Sequence, residues 1–120
     1  MLLYHGTTRD NGENIIKDQS FNLDRTGENW GVTYGKGVYL TPNLEEAKRY
    51  GDMVLVVECE IKEYKLNQRF SPNDKKHKKI LKKIIRKEIE EGEYDSLVTV
   101  DEDEYILFKP EESILEIKQI

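Results

Sequence analysis

Three short stretches of the chain combine residue types that can do chemistry. The first is His5, which follows an apolar stretch and precedes Gly6 and Thr7. An imidazole donates or accepts a hydrogen bond near neutral pH, and a glycine lets a ligand approach the backbone closely. The pattern indicates a ligand-binding turn after a strand, although a lone histidine more often only ends an edge strand.

The second stretch is residues 35–41, in which Gly35 and Gly37 precede Tyr39. A second tyrosine, Tyr50, ends the helix that we predict next. Two tyrosines placed in this way can form the walls of a slot for a flat ring, with aromatic contacts worth about 0.5–1.5 kcal/mol beyond the buried area. Spacing alone favours two tyrosines packed in the core.

The third stretch is a run of acids, Asp101, Glu102, Asp103 and Glu104, directly before an apolar stretch. Carboxylates that are held close together repel one another, and this repulsion raises the pKa of some of them. The run is therefore a candidate source of a functional carboxylate. A charge run of this kind is more often a solvated turn before an edge strand.

Strands and helices must bring these stretches together. Apolar and β-branched runs predict strands at residues 1–4, 38–40, 53–61, 97–100, 105–108 and 114–117. Capping signals predict a helix after Thr8 or Asp10, one from Pro42 to Tyr50, and one from residues 71–73 to about residue 92. Strands dominate, with two or three helices among them, so we predict a compact α+β fold.

Composition limits the function classes. The chain has 120 residues, which predicts one domain over residues 1–120. The single cysteine excludes a disulfide within the chain and a cysteine-based zinc site. The sequence has no apolar run long enough to cross a membrane and no signal-peptide pattern at its start, so we expect a cytoplasmic protein that does not associate with membranes.

The three stretches together resemble a known family. The segments LYHGT (3–7), GKGVYL (35–40), AKRY (47–50) and DEYI (103–106) resemble, in this order, the catalytic domain of the poly(ADP-ribose) polymerase-like ADP-ribosyltransferases. Tyr50 follows Tyr39 by eleven residues, as in that family. The resemblance implies the split β-sheet core of the ADP-ribosyltransferase type, with NAD⁺ as substrate and no metal. Residues 62–95 are outside it.

The resemblance also implies roles for single residues. His5 would hydrogen-bond a hydroxyl of the nicotinamide ribose, and the backbone of Gly6 would hold the carboxamide. Tyr39 and Tyr50 would sandwich the nicotinamide ring. Glu104 would bind the ribose 2′-hydroxyl and stabilise positive charge as the glycosidic bond breaks, which is how carboxylates act in glycosidases. His5, Tyr39 and Glu104 form the catalytic set.

Other positions enter the expected site less directly. Thr7 belongs to the same NAD⁺-binding motif as His5, and Arg25, in the polar stretch 18–37, can meet the pyrophosphate or lie on the surface. Glu102 matches an acid that orients the acceptor in some related transferases, or is one more solvated acid. Ala47 departs from the family, in which a hydroxyl residue often binds the carboxamide. We therefore expect a lower affinity for NAD⁺ or a different position of the nicotinamide ring.

The short chain favours transfer of one ADP-ribose to a protein, RNA or DNA acceptor, for example by a toxin, over polymer synthesis. A tRNA 2′-phosphotransferase shares the first motif but needs a His-x-His pair where this chain has Val38-Tyr39-Leu40. An NAD⁺ glycohydrolase would use the same site with water as acceptor. A module that only binds ADP-ribose or a protein would not need the intact His5 and Glu104.

A basic segment adds a possible nucleic-acid contact. Residues 75–87 hold eight Lys or Arg, whereas residues 88–104 hold nine Asp or Glu. At 100° per residue, six of these side chains are placed opposite Ile80 and Ile84, namely Lys75, Lys79, Lys82, Lys83, Arg86 and Lys87, and His77 falls on the apolar side. The face can grip phosphates or be an ordinary solvated helix face. Bases before acids also oppose the helix dipole.

Overall fold

The computed structural model describes residues 1–22, 34, 36–71 and 73–120. Its strands are β1 (Leu2–Thr7), β2 (Val38–Leu40), β3 (Met53–Cys59), β4 (Glu63–Lys65), β5 (Ser96–Val98), β6 (Tyr105–Leu107) and β7 (Ile114–Gln119). Its helices are α1 (Arg9–Asp18), α2 (Leu44–Ala47), α3 (Lys75–Ile84) and α4 (Pro110–Ser113). A 3-10 turn (Lys48–Tyr50) extends α2, and a π-helical segment (Ile85–Glu90) extends α3.

The strands form two sheets that meet near the first two motifs. One sheet has the order β1-β3-β7 and is antiparallel, and the other has the order β2-β6-β5-β4, with β4 and β5 parallel. Backbone hydrogen bonds of 2.7 and 2.9 Å between Tyr4 and Thr41 join the sheets. The α+β prediction is confirmed, with four α-helices in the described part of the chain where we expected two or three.

Two apolar cores lie on the two sides of the second sheet. The first core fills the space between the sheets and includes Leu55 of β3 and Leu107 of β6. The second core lies under α3 and includes Leu97 of β5 and Ile106 of β6. Side chains alternate along a strand, so β6 supplies Leu107 to one core and Ile106 to the other.

Local signals explain how the helices begin. The Thr8 hydroxyl accepts a hydrogen bond from the Asn11 N–H (3.3 Å), which confirms one of the two predicted caps. The helix predicted to start at Pro42 begins later, because the Asn43 side chain accepts from the Glu46 N–H (3.2 Å) and caps α2 instead. Asp74 caps α3 in the same way.

The long helix differs from prediction in one detail. Leu81 and Ile89 are buried as expected, but Ile80 is 41% exposed and does not belong to the apolar face. His77 packs edge-on against Phe70 and its Nδ1 accepts from the Ser71 N–H, as its apolar position indicated. Within the described residues, every helix is too short or too polar to span a bilayer.

Candidate active site

His5 lies on β1, on the side of the first core. Its Nδ1 atom is 3.0 Å from the carbonyl oxygen of Tyr39, and its ring makes an edge contact with Phe21 at a centroid distance of 5.0 Å. A carbonyl oxygen only accepts, so Nδ1 carries the proton. Burial lowers the pKa of His5, against the opposing effect of the hydrogen bond to Tyr39. The neutral ring therefore presents Nε2 as an acceptor.

Tyr39 lies in the middle of β2, opposite Ile106 of β6, and packs against the second core. Its hydroxyl accepts a hydrogen bond from the Tyr34 backbone N–H (3.1 Å), and the two rings lie 6.4 Å apart. Burial raises the pKa of Tyr39 above its ordinary range, and the charge of Glu104 adds to this rise. The hydroxyl is therefore neutral at physiological pH, and the backbone at Tyr34 orients it.

Glu104 lies on the same sheet face as Tyr39. It comes two residues before Ile106, the pairing partner of Tyr39, and side chains two apart in an extended chain share a face. Its backbone is anchored to Thr99, since its N–H donates to Thr99 Oγ1 (3.2 Å) and its carbonyl accepts from the Thr99 N–H (3.0 Å). The Glu104 side chain is half-buried, and its backbone is held in place beside the strand that carries the second motif.

The charge of Glu104 links the third motif to the second. After burial, the main cause in each case, the Glu104 carboxylate raises the pKa of Tyr39, Tyr50 and Tyr34. Coulomb interactions weaken with distance, so Glu104 lies within electrostatic reach of these three hydroxyls. The sheet register places Tyr39 and Glu104 on one face, and His5 is hydrogen-bonded to the Tyr39 carbonyl.

The segment that carries Tyr50 packs on β1 through close contacts that only glycine allows. A Cβ atom at Gly6 would collide with the carbonyl oxygen of Ala47 and lie 3.2 Å from the Tyr50 Cβ. A Cβ at Gly51 would collide with the backbone of Thr7. Tyr50 therefore stands beside Gly6, and 64% of its surface is exposed and open to a ligand.

Glu102 faces a different environment from Glu104. It has a left-handed backbone conformation (φ 60°) in the turn between β5 and β6, and its exposed carboxylate pairs with Lys65 at 2.9 Å. Burial is the main cause of the raised pKa of Tyr105, and the charge of Glu102 raises it further. Tyr105 belongs to the first core, on the opposite face of β6 from Glu104. The structure therefore places Glu102 beside the β4 strand and not beside Tyr39.

Two other acids influence Glu104 instead. Burial is the main cause of the raised pKa of Glu104, and the charges of Asp103 and Glu46 raise it further. Glu46 lies in the first turn of α2 and pairs with Arg49 at 3.3 Å. Sequence reasoning missed Glu46, because an acid in the first turn of a helix is already expected from the helix dipole.

The remaining predicted positions have different outcomes. Thr7 is buried at the end of β1, next to Gly51. Ala47 is fully buried, with its carbonyl against Gly6. Arg25 lies outside the described residues, as does most of the polar stretch 18–37. Among the residues that the structure describes, His, Cys, Asp and Glu form no group of three or more that could hold a metal ion.

Comparison with known proteins adds no assignment. No protein-family model matches the chain, and no curated protein is significantly similar to it. Any conclusion about function therefore depends on the motifs and the geometry described above.

Proposed function

We propose that the chain is an NAD⁺-dependent ADP-ribosyltransferase that moves one ADP-ribose to a macromolecular acceptor and releases nicotinamide. The observation that carries the proposal is the position of Glu104 beside Tyr39 on one sheet face, with His5 bonded to the Tyr39 backbone. We further propose that the two joined sheets are the split core of the ADP-ribosyltransferase type. The Tyr4–Thr41 bridge between the first two motifs supports that assignment.

Each side chain has a suitable state for this reaction. Neutral His5 offers Nε2 to a ribose hydroxyl, since Nδ1 is already used by Tyr39. Tyr39 and exposed Tyr50 bind the nicotinamide ring. When the bond between ribose C1 and the nicotinamide nitrogen breaks, its electron pair leaves with nicotinamide and the ribose carbon becomes cationic. The Glu104 carboxylate stabilises this developing charge, and partial burial strengthens the effect.

Three other functions are alternatives to this proposal, and measurements of nicotinamide release and label transfer test it against them. A glycohydrolase would release nicotinamide and attach no label to any acceptor. A 2′-phosphotransferase would need a His-x-His pair at the second motif, where the chain has Val38-Tyr39-Leu40. A module that only binds ADP-ribose or a protein would release no nicotinamide.

The decisive variant is Glu104→Gln, which keeps the shape of the side chain and removes its charge. We expect it to bind NAD⁺ and to release nicotinamide about 10²–10³ times more slowly, the usual effect of losing one stabilising group. Glu58→Gln is the matched control, because Glu58 is exposed on β3, in the other sheet. The measurement is nicotinamide release and label transfer from NAD⁺, with binding followed by calorimetry.

The result can go against the proposal in two ways. Normal nicotinamide release by Glu104→Gln would show that Glu104 does not stabilise the transition state. Absence of release by the unaltered protein, with NAD⁺ and a cell lysate as the source of acceptors, would remove the enzyme assignment altogether.

A further inference from the structure

The outer face of α3 carries a dense cluster of positive charge. Residues 75–87 hold eight Lys or Arg, although the whole chain has a net charge of −5. All eight side chains are exposed. Within the part of the chain that the structure describes, none of the eight forms a salt bridge. These exposed cations can therefore bind an anion from outside the chain.

The nearby acids form no ion pair with this surface in the described part of the chain. Of the acids in residues 88–104, Asp101 pairs with Arg69 and Glu102 pairs with Lys65, both outside α3. The first turn of α3 contains no acid, while acids follow in the π-helical segment. A helix prefers acids at its start and bases at its end, so the stability of α3 does not account for this order of charges.

The position of α3 relates its charge to the proposed site. Its buried residues Leu81 and Ile89 pack in the second core with Ile106, and Tyr39 packs against the same core. The helix therefore packs on the same side of the sheet as Tyr39 and Glu104. A long anion that follows the outer face of α3 stays on the catalytic side of the sheet.

We propose that this basic face binds the phosphate backbone of a nucleic acid, and that a nucleic acid is the acceptor of ADP-ribose. The inference rests on the proposed function. In the transfer, a lone pair on an oxygen or nitrogen of the nucleic acid forms the new bond to ribose C1. The bond to nicotinamide breaks, its electron pair leaves with nicotinamide, and any proton on the attacking atom passes to water.

A regular array of exposed cations fits a phosphate backbone because each contact releases condensed counterions. Lys75, Lys79 and Lys82 are spaced by four and three residues, so they form one stripe along the helix. The test replaces these three lysines by glutamine. The matched control replaces three exposed lysines outside α3 by glutamine, namely Lys17, Lys62 and Lys118. It therefore has the same net charge as the triple α3 variant.

Binding is measured without NAD⁺, by fluorescence anisotropy, over a range of salt concentrations. The probes are a single-stranded RNA of about 20 nucleotides, the DNA of the same sequence, and its duplex. At about 0.1 M salt the triple α3 variant should bind the preferred probe roughly a hundredfold more weakly. For a single-stranded probe, the slope of log affinity against log salt concentration should be less steep by about two units in this variant. The control, and a Lys→Arg version of the α3 stripe, should bind like the unaltered protein.

Label transfer from NAD⁺ separates this inference from the proposed function. Label on the nucleic acid, reduced in the triple α3 variant, supports the inference. Nicotinamide release with label only on protein, or equal binding by the triple variant and the control, overturns the inference and leaves the enzyme assignment intact. Nucleic-acid binding without any nicotinamide release overturns the proposed function instead.

Discussion

The surroundings of Glu104 and the outer face of α3 both hold charge that folding alone does not favour, but they hold it differently. Glu104 is half-buried, and burial and its acidic neighbours Asp103 and Glu46 raise its pKa. The cations of α3 are exposed, and Lys75 and Lys76 in its first turn lie at the positive end of the helix. In the site the fold partly buries the charge and places other acids near it, whereas on α3 the charges are exposed to solvent.

This difference in burial agrees with the two functions that we propose for these regions. A carboxylate that stabilises a cationic transition state acts most strongly where water is excluded and its position is fixed. Glu104 is half-buried, and hydrogen bonds to Thr99 hold its backbone in place. Cations that bind a polyanion act by releasing counterions, and they must remain exposed. The two regions should therefore respond differently to substitution, salt and pH.

The largest expected effect comes from a substitution that sterically disrupts the candidate active site and leaves α3 unchanged. Gly6→Ala would drive a Cβ into the Ala47 carbonyl and displace the segment that carries Tyr50. We expect a loss of about 1–3 kcal/mol in stability and at least a hundredfold loss in nicotinamide release, since small misplacements near a reacting group have such effects. Nucleic-acid binding by α3 should persist below the melting temperature, because α3 packs on the other sheet.

Gly12→Ala is the control for this substitution. A Cβ at Gly12 would clash first with the Met53 sulfur, which can shift because it lies near the far end of a flexible side chain, and alanine favours the helix by up to about 1 kcal/mol. This variant should fold and keep its activity. If Gly6→Ala were as active as Gly12→Ala, the contact between β1 and the Tyr50 segment would not matter for the site.

The elements of the site were more predictable than the directions of its side chains. Short β-branched and apolar runs correctly indicated the strand that contains Tyr39 and the start of β1, because local hydrophobic patterns decide such strands. The end of β1 was predicted wrongly, since the strand continues to Thr7 and His5 lies within it and not in a turn after it. Thr8 was correctly identified as a possible cap, since its hydroxyl acts within three residues. Strand β4 was missed, because three residues with partly exposed side chains leave no periodic signal.

The direction of each acid in the run 101–104 could not be predicted from sequence. Glu102 and Glu104 have the same chemistry, yet the left-handed backbone at Glu102 turns the chain so that one meets Lys65 and the other faces Tyr39. That outcome depends on the pairing of β6 with β2 and on the position of β4. The closeness of Glu46 to Glu104 likewise depends on how α2 packs against β1, which its own sequence does not encode.

A smaller effect tests whether the basic residues at the start of α3 lower the stability of the protein. Lys76→Glu places an acid in the first turn of α3, where the helix dipole favours it, and should raise stability by roughly 0.3–1 kcal/mol. The same substitution should weaken nucleic-acid binding. Lys87→Glu is the control at the opposite end of the helix, where an acid is unfavourable. Thermal or urea unfolding measures the difference, and equal stability of both variants would contradict the dipole argument.

The smallest expected effect concerns the stability cost of Glu104 itself. Because burial raises the pKa of Glu104 in the folded protein above its ordinary value of 4.5, ionisation of Glu104 opposes folding. The penalty is fully present above the folded pKa and disappears as the pH falls below about 4.5, the value in the unfolded chain. Glu104→Gln should therefore melt at a higher temperature than the unaltered protein at pH 7, and the difference should shrink towards pH 4.

His5 should act with the opposite sign over a higher range. Its lowered pKa means that the folded protein resists protonation, so stability falls as the pH drops below 6.5, the ordinary value for histidine. Melting curves of Glu104→Gln and of the unaltered protein share this effect of His5, so their difference isolates the carboxylate. A difference that stayed constant from pH 7 to pH 4 would mean that Glu104 ionises freely. The site would then be as solvated as the outer face of α3, and the contrast between the two regions would fail.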